Sequence, residues 1–170
     1  QFSDSVCFSG KVSDDESGIN FINCLNESGV DAHVSKIKDQ RSGECLVLIT
    51  PDNERTMNTF LGSSSLLSDN DISKESIQNS DYLLIEGYLV TSDLTLNVGI
   101  AAIDIANENN TKTVITLSDP NIVSFFRDNM MKLFNKKSHI VFCNEQEALN
   151  FSETDNLKDA QEFLKEITNE

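Results

Sequence analysis

Three short apolar runs, separated by segments with helical periodicity, constrain the fold of this chain most strongly. The runs are residues 82–86, 113–117 and 140–143, and we expect the first to form a buried strand. The helical segments between them are 93–109 and one that begins at Pro120. Strands and helices that alternate in this way form βαβ units, which build a parallel sheet with right-handed crossovers. The sequence therefore predicts an open α/β core, and such sheets bind ligands beyond the carboxyl ends of their strands.

The remaining pattern places smaller elements on either side of this core. Before it we predict a strand, a helix, an exposed strand, a hairpin and a short helix, in that order: 6–8, 14–28, 31–37, 45–50 with 55–61, and 69–79. After it the chain is predicted to be helical from residue 145 to its end, with a break near 152–155. We therefore expect a small antiparallel insertion near the start of a parallel α/β core.

Charge and motif content narrow the function. The 170 residues carry 13 Lys and Arg against 28 Asp and Glu, which gives a formal net charge of −15. A field of this sign repels phosphate backbones and anionic lipid, so we expect neither a nucleic-acid nor a membrane partner. The sequence contains no GxGxxG and no GxxxxGK[ST], so neither a dinucleotide-binding fingerprint nor a P-loop is supported.

The cysteines and histidines are too widely spaced to indicate a disulfide framework or a zinc site. They are Cys7, Cys24, Cys45, Cys143, His33 and His139. Each cysteine lies in an apolar stretch, so we expect buried thiols in a reducing cytoplasm. No apolar run is long enough to span a membrane, and no signal peptide is visible. Because the chain begins with Gln1, we expect it to have been cut from a longer protein.

The second strand of the predicted hairpin carries a possible ligand-binding face. Side chains alternate along a strand, so Arg55, Met57, Thr59 and Leu61 would share one face. One interpretation is a half-buried strand with a solvated arginine at its tip. The other is a flap that covers a mostly apolar ligand, with Arg55 directed at an anionic group.

Five segments, in order along the chain, match the pattern of a known family: KVSDDESG (11–18), TPDNERTMNTFLG (50–62), IEGYL (85–89), TLSDPNIVSFFRDN (116–129) and FCNEQEA (142–148). Together they resemble the ribokinase-like, or PfkB, family of carbohydrate and nucleoside kinases, and within it most of all the adenosine kinases. The resemblance implies a ribokinase-like parallel sheet flanked by helices, with an inserted antiparallel lid. It also implies transfer of the γ-phosphoryl group of ATP to a primary hydroxyl of adenosine or a related nucleoside.

The family's NxxE motif corresponds to Asn144 and Glu147. The resemblance implies that these residues organise Mg²⁺ and the nucleotide phosphates, with Glu147 reaching the metal through water. Mg²⁺ prefers oxygen ligands and keeps several waters, so an amide and a carboxylate in its outer shell suffice. Judged by the residues alone, the favoured explanation of the pair is a helix cap and a first-turn carboxylate, and the resemblance reverses this preference.

The resemblance also assigns substrate-facing positions. In the lid, Arg55 would contact the phosphoryl group, and the nucleoside would face four further residues: Cys45, Met57, Thr59 and Leu61. After the strand at 82–86, either Tyr88 or Leu89 would lie against the base. Glu86 would bind a sugar hydroxyl or be a solvated strand end, and Asp119 would be a ligand or a helix cap.

The family chain is about twice this length, so the resemblance implies a partial domain over 1–170. Its lid strands would be about 31–37 and 45–61, and its core about 6–29 and 69–170. The general base and the glycine-rich anion hole are expected beyond Glu170, so the isolated chain is predicted to be inactive. The alternatives are a fructokinase- or ribokinase-type sugar kinase, and a non-catalytic module that self-associates through the lid or a sheet edge.

Overall fold

The computed structural model describes residues 5–136 and 138–168, and these divide into two compact units on either side of the boundary between Ser73 and Lys74. The strands are β1 Cys7–Ser13, β2 Asp31–Ile37, β3 Glu44–Ile49, β4 Arg55–Phe60, β5 Tyr82–Glu86, β6 Lys112–Thr116 and β7 Ile140–Phe142. The α-helices are α1 Glu16–Glu27, α2 Lys74–Gln78, α3 Asp93–Glu108, α4 Pro120–Phe125, α5 Arg127–Phe134, α6 Glu145–Ser152 and α7 Leu157–Ile167. Short 3₁₀ helices lie at Gly62–Leu66, Asp69–Asp71 and Gly87–Thr91.

The first unit contains a parallel pair and a separate hairpin. β1 and β2 pair in parallel from Cys7 opposite Asp31 to Ser13 opposite Ile37, and α1 connects them. We expected residues 31–37 to belong with the lid, but among the described residues β2 pairs with β1 and not with the β3–β4 hairpin. The helix between the two strands returns the chain in the same direction, and this connection favours parallel pairing.

The segment KVSDDESG, at the junction of β1 and α1, is shaped by a helix cap. The carboxylate of Asp15 accepts hydrogen bonds from the backbone N–H of Gly18 at 2.9 Å and of Ser42 at 2.8 Å. Hydrogen bonds from the Ser42 side chain, from its backbone and from Gly18 hold the pKa of Asp15 below its ordinary value. A Cβ at Gly18 would lie 2.2 Å from the Ser13 carbonyl oxygen, so only glycine fits this close approach.

The first unit has a thin apolar core and is secured by a buried ion pair. Val12 and Leu67 are the only buried apolar side chains among its described residues. Lys11 Nζ lies 2.7 Å from Asp71 Oδ2, with side chains only 13% and 8% exposed. The same carboxylate accepts hydrogen bonds from the backbone and hydroxyl of Ser68, both at 2.7 Å. This pair therefore ties β1 to the 3₁₀ helix Asp69–Asp71.

The second unit contains the predicted parallel sheet and the main core. Its strands follow the order β5-β6-β7, all parallel, and β6 lies in the middle. Helix α3 packs against both β6 and α5, and buried side chains of these three elements form much of the core: Val114, Ile115, Leu96, Val98, Ile103, Met130 and Leu133. The break predicted near 152–155 separates α6 from α7, and the last two residues of that predicted helix lie outside the described residues.

Two expectations about burial are wrong. The cysteines are free thiols and none of the four is buried: Cys7 is half-buried and Cys24, Cys45 and Cys143 are exposed. Their apolar neighbours misled the prediction, because those stretches lie in elements that are themselves open to solvent. β5 was predicted to be buried, but Tyr82 and Leu84 are each 55% exposed while Ile85 on the other face is buried.

Among residues 5–136 and 138–168, no helix is both long enough and apolar enough to cross a membrane.

The Lys11–Asp71 pair gives a testable pH dependence of stability. Burial alone would raise the pKa of Asp71, but hydrogen bonds from Lys11, Ser68 and Ser35 outweigh it and lower the pKa from 3.8 to about 2. A carboxyl group whose pKa is lower in the folded state stabilises the fold at pH values above its unfolded-state pKa. This contribution is lost as the pH falls from the unfolded-state pKa to the folded-state pKa. We expect Asp71→Asn to lower the free energy of unfolding by about 2 kcal/mol at neutral pH, measured by urea denaturation.

Asp69→Asn is the matched control, because Asp69 lies in the same 3₁₀ helix but is exposed. It should leave stability nearly unchanged. The Asp71→Asn variant should also lose part of the stability change that the parent shows on acidification. Equal stabilities of the two variants, or parallel pH curves for parent and Asp71→Asn, would contradict the role given to the pair.

Candidate functional site

The parallel strands of the second unit bring three segments to one edge of the sheet. Glu86 at the end of β5 lies opposite Thr116 of β6, which lies opposite Phe142 of β7. The residues that follow these strand ends are therefore neighbours, although long helices separate them in the sequence. Six residues at or after these strand ends were predicted as site residues or candidates: Glu86, Tyr88, Leu89, Asp119, Asn144 and Glu147.

Ser118 links the ends of β5 and β6. Its backbone has φ 71°, in the left-handed region, and its hydroxyl lies close to the β5 end. The Ser118 Oγ accepts from the Gly87 N–H at 2.9 Å and donates to Glu86 Oε2 at 3.3 Å. A Cβ at Gly87 would be 2.5 Å from the Thr116 carbonyl oxygen, so glycine is required for this approach. Ser118 directly follows the predicted strand 113–117, but no role was predicted for it.

Asn144 and Glu147 form a reciprocal capping box at the start of α6. The Asn144 Oδ1 accepts from the Glu147 N–H at 2.8 Å, and Glu147 Oε2 accepts from the Asn144 N–H at 3.1 Å. The other carboxylate oxygen, Oε1, accepts from Asn144 Nδ2 at 2.9 Å. Both groups are thus held rigidly at the sheet edge.

Glu147 is an unusual carboxylate because it is 6% exposed and, within the described part of the chain, forms no ion pair. Each of its oxygens accepts one hydrogen bond from Asn144 and retains a further lone pair. Oxygen donors of this kind fit the water shell of Mg²⁺. The donor set is therefore compatible with the magnesium that the sequence resemblance implies.

The negative charge of Glu147 also acts on the neighbouring Cys143 thiol. Although the residue is exposed overall, the surrounding protein atoms partly desolvate the Cys143 thiol and raise its pKa, and the negative charge of Glu147 raises it further. Asp119, the other predicted candidate at this edge, caps α4: its Oδ1 accepts from the Asn121 N–H at 2.7 Å and from the Ile122 N–H at 3.3 Å. Pro120 occupies the first turn of α4, as the sequence predicts.

Tyr88 and Leu89 lie in the 3₁₀ helix that follows β5, and they point differently. Leu89 lies against α3, because a Cβ at Gly99 would be 3.4 Å from its Cδ1 atom. Tyr88 is 41% exposed, whereas Leu89 is half-buried. Of these two side chains, Tyr88 is the more exposed to solvent.

The hairpin of the first unit gathers the predicted lid residues on one face. Cys45 lies opposite Thr59, Val47 opposite Met57, and Ile49 opposite Arg55. The Thr59 hydroxyl donates to Cys45 Sγ at 3.4 Å. Leu61 is the residue directly after β4 and is 41% exposed. The face is therefore apolar along its length, with one cation near the turn.

Both faces of this hairpin are open. Every residue of β3 and β4 is exposed, including Ile49 at 69% and Leu46, which is on the opposite face, at 62%. Arg55 forms no ion pair in the part of the chain that the structure describes. An apolar ribbon with an uncompensated guanidinium can cover a ligand that has both an apolar and an anionic part.

Comparison with known proteins identifies the family. The model of the pfkB family carbohydrate kinases matches residues 1–170. The chain belongs to this family. Its α/β architecture, with parallel sheets and a small antiparallel sheet, agrees with the ribokinase-like fold expected from the sequence.

Solved structures of the same fold include nucleoside and sugar kinases. Adenosine kinase from Sinorhizobium meliloti is 30% identical, with a TM-score of 0.92, and the match covers 96% of this chain and 51% of that one. A probable sugar kinase from Rhizobium etli CFN 42 is 26% identical, with a TM-score of 0.92, covering 96% and 50%. Apo adenosine kinase from Trypanosoma brucei brucei is 25% identical, with a TM-score of 0.81, covering 96% and 51%. The chain thus spans about half the length of these structures.

The proximity of Glu147 to Cys143 makes a direct prediction about thiol reactivity. Glu147→Gln removes the charge that raises the Cys143 pKa, so the thiolate fraction increases. We expect faster alkylation of Cys143 by iodoacetamide near pH 8, measured by mass spectrometry of the peptide that contains it. Glu145→Gln, in the same helical turn, should leave the rate unchanged. An unchanged rate in Glu147→Gln would show that the two groups are not electrostatically coupled.

Proposed function

We propose that this chain is part of an ATP-dependent kinase that phosphorylates a primary hydroxyl of adenosine or a related nucleoside. The observation that carries this proposal is the similarity to the Sinorhizobium meliloti adenosine kinase, which extends over nearly the whole chain. Family membership alone supports a carbohydrate or nucleoside kinase, since the same fold also serves a probable sugar kinase. The assignment of a nucleoside as the substrate is the more specific part of the proposal.

In this proposal the hairpin is the substrate lid. A nucleoside has an apolar base and a polar sugar, and the face that carries Cys45, Met57, Thr59 and Leu61 suits the base. Arg55, near the turn, would stabilise charge on the phosphoryl group during transfer, because a guanidinium offers two parallel hydrogen bonds to phosphate oxygens. Among residues 5–136 and 138–168 no carboxylate forms an ion pair with Arg55, and this leaves the cation available to a phosphate.

At the sheet edge, Tyr88 would lie against the base and Glu86 would accept a hydrogen bond from a sugar hydroxyl. The Ser118 hydroxyl, which donates to Glu86, orients that carboxylate. Asn144 and Glu147 would hold Mg²⁺ through its water shell and so help to position the phosphates of ATP. When bound, Mg²⁺ neutralises charge on the phosphate oxygens.

The general base and the anion hole would lie outside this segment. Because positioning and electrostatic stabilisation account for most of phosphoryl-transfer catalysis, the isolated 170-residue chain should not phosphorylate adenosine. The net charge of −15 argues against nucleic acid and membrane surfaces as partners. Four free thiols suit a reducing cytoplasm, which we propose as its location.

A sugar kinase of the fructokinase or ribokinase type is the second candidate. A third, in which the segment is a non-catalytic module, is favoured by the hairpin, since its two open faces could pair with a second copy. Sedimentation at increasing concentration separates the third candidate from the others.

A ligand panel tests the substrate class in the whole protein that the gene encodes. A ligand that binds only the folded state raises its melting temperature. We expect adenosine to raise it strongly, ribose and fructose to have no effect, and ATP with Mg²⁺ to convert adenosine to its 5′-phosphate. Stabilisation by a sugar alone would favour the second candidate. Phosphorylation of adenosine by the isolated 170-residue chain would contradict the assignment of the base to another segment.

Two pairs of variants test the residue roles in the whole protein. Arg55→Ala should lower kcat by about 100-fold, since it removes a charge that acts on the transferring group. Arg41→Ala is its control, because Arg41 is exposed near the start of the hairpin and pairs with Glu44.

Glu147→Gln should raise the Mg²⁺ concentration needed for half-maximal activity, whereas Glu145→Gln should not. Equal effects within either pair would remove the role proposed for that residue.

A further inference from the structure

Three potential metal ligands lie together at the start of the β1–β2 pair. Cys7 is the first residue of β1 and lies opposite Asp31, the first residue of β2. His33 is two residues further along β2, so it lies on the same face as Asp31. One ligand atom from each side chain falls within 4.8 Å of the other two, and His33 Nε2 is 3.1 Å from Asp31 Oδ2.

The surroundings of these side chains explain why they are accessible within the first unit. The face of β1 and β2 that carries them also carries Lys11, which pairs with Asp71 of the 3₁₀ helix. Ser9 lies between Cys7 and Lys11 in β1, and its hydroxyl accepts a hydrogen bond from the Ser73 N–H at 3.3 Å. The chain at residues 68–73 thus covers the carboxyl-terminal part of this face. It leaves the Asp31 and His33 side chains 72% and 43% exposed at the amino-terminal part.

The opposite face of the two strands is apolar and is already occupied. Phe8 packs edge-on against Phe21 of α1, with ring centroids 5.5 Å apart. Since Cys7 precedes Phe8 in the same strand, its side chain points to the polar face. The thiol, the imidazole and the carboxylate are therefore presented together, away from α1.

We propose that Cys7, Asp31 and His33 bind a zinc ion with an open fourth position. A thiolate, an imidazole and a carboxylate are the three ligand types that Zn²⁺ takes from proteins, and a tetrahedral site with three protein ligands leaves one place for water. Ligand atoms about 2.0–2.3 Å from a tetrahedral zinc are about 3.3–3.8 Å apart. The ligand atoms of the three side chains lie within 4.8 Å of one another, so small side-chain rotations bring them to this spacing.

This site is independent of the proposed kinase function. It would tie the first residues of β1 and β2 together and so stabilise a unit whose apolar core is thin. Sequence spacing does not indicate it, because the three ligands come from two strands that pair only in the folded protein. The wide spacing of the cysteines and histidines argued against a zinc site, but the fold brings these three ligands together.

Cobalt titration of the 170-residue chain under reducing conditions tests the site. Co²⁺ takes the place of Zn²⁺ and gives a thiolate charge-transfer band together with the visible bands of a tetrahedral ion. We expect one equivalent to bind and Zn²⁺ to displace it. Cys7→Ser should abolish the charge-transfer band, and His33→Ala or Asp31→Asn should weaken binding by about tenfold or more. Cys143→Ser and His139→Ala, which alter the same residue types elsewhere, should bind as the parent does.

Two results would overturn the proposal. One is the absence of a tetrahedral cobalt spectrum in the parent chain, and the other is a charge-transfer band that survives in Cys7→Ser. X-ray absorption of the zinc-loaded parent gives a second measurement that needs no variant. It should show one sulfur and at least one imidazole ligand, and a shell of nitrogen and oxygen alone would exclude Cys7. Zinc should also raise the melting temperature of the parent more than that of Cys7→Ser.

Discussion

The central strand β6 is the constraint on which the rest of the second unit depends. It is hydrogen-bonded to β5 on one side and β7 on the other, and Thr113 and Ile115 are fully buried within it. Because all three strands run in the same direction, their carboxyl ends meet at one edge. The Gly87 turn, the Ser118 hydroxyl and the capping box of α6 are neighbours only for this reason.

Much of this arrangement could be predicted from the sequence because it depends on local periodicity. The helix that begins at Pro120, the strand at 82–86 and the break between α6 and α7 each follow from a short pattern of apolar and capping residues. The Asn144–Glu147 box is also local, since both partners lie within one helical turn. The parallel sheet then follows from the alternation of these elements.

Interactions between distant segments could not be predicted in the same way. The pairing of β2 with β1, the Lys11–Asp71 ion pair and the Cys7–Asp31–His33 cluster each join residues far apart in the sequence. The predictions of which side chains are buried failed for a related reason. An apolar run shows that a side chain can be buried, but whether it is buried depends on what packs over it, and nothing in the described residues covers the hairpin around Cys45.

The exposed hairpin has a consequence for how this protein behaves before and during folding. β3 contains the uninterrupted apolar run Cys45–Leu46–Val47–Leu48–Ile49, and within the described residues each hairpin strand has one edge that pairs with no other strand. Uncharged runs rich in β-branched residues with a free edge template intermolecular cross-β stacking. Glu44 and Arg55 flank this run in the folded hairpin, where charge repulsion between stacked copies opposes growth. The exposed apolar surface on which the proposed lid role depends therefore also makes this hairpin prone to amyloid-like assembly, and the flanking charges oppose it.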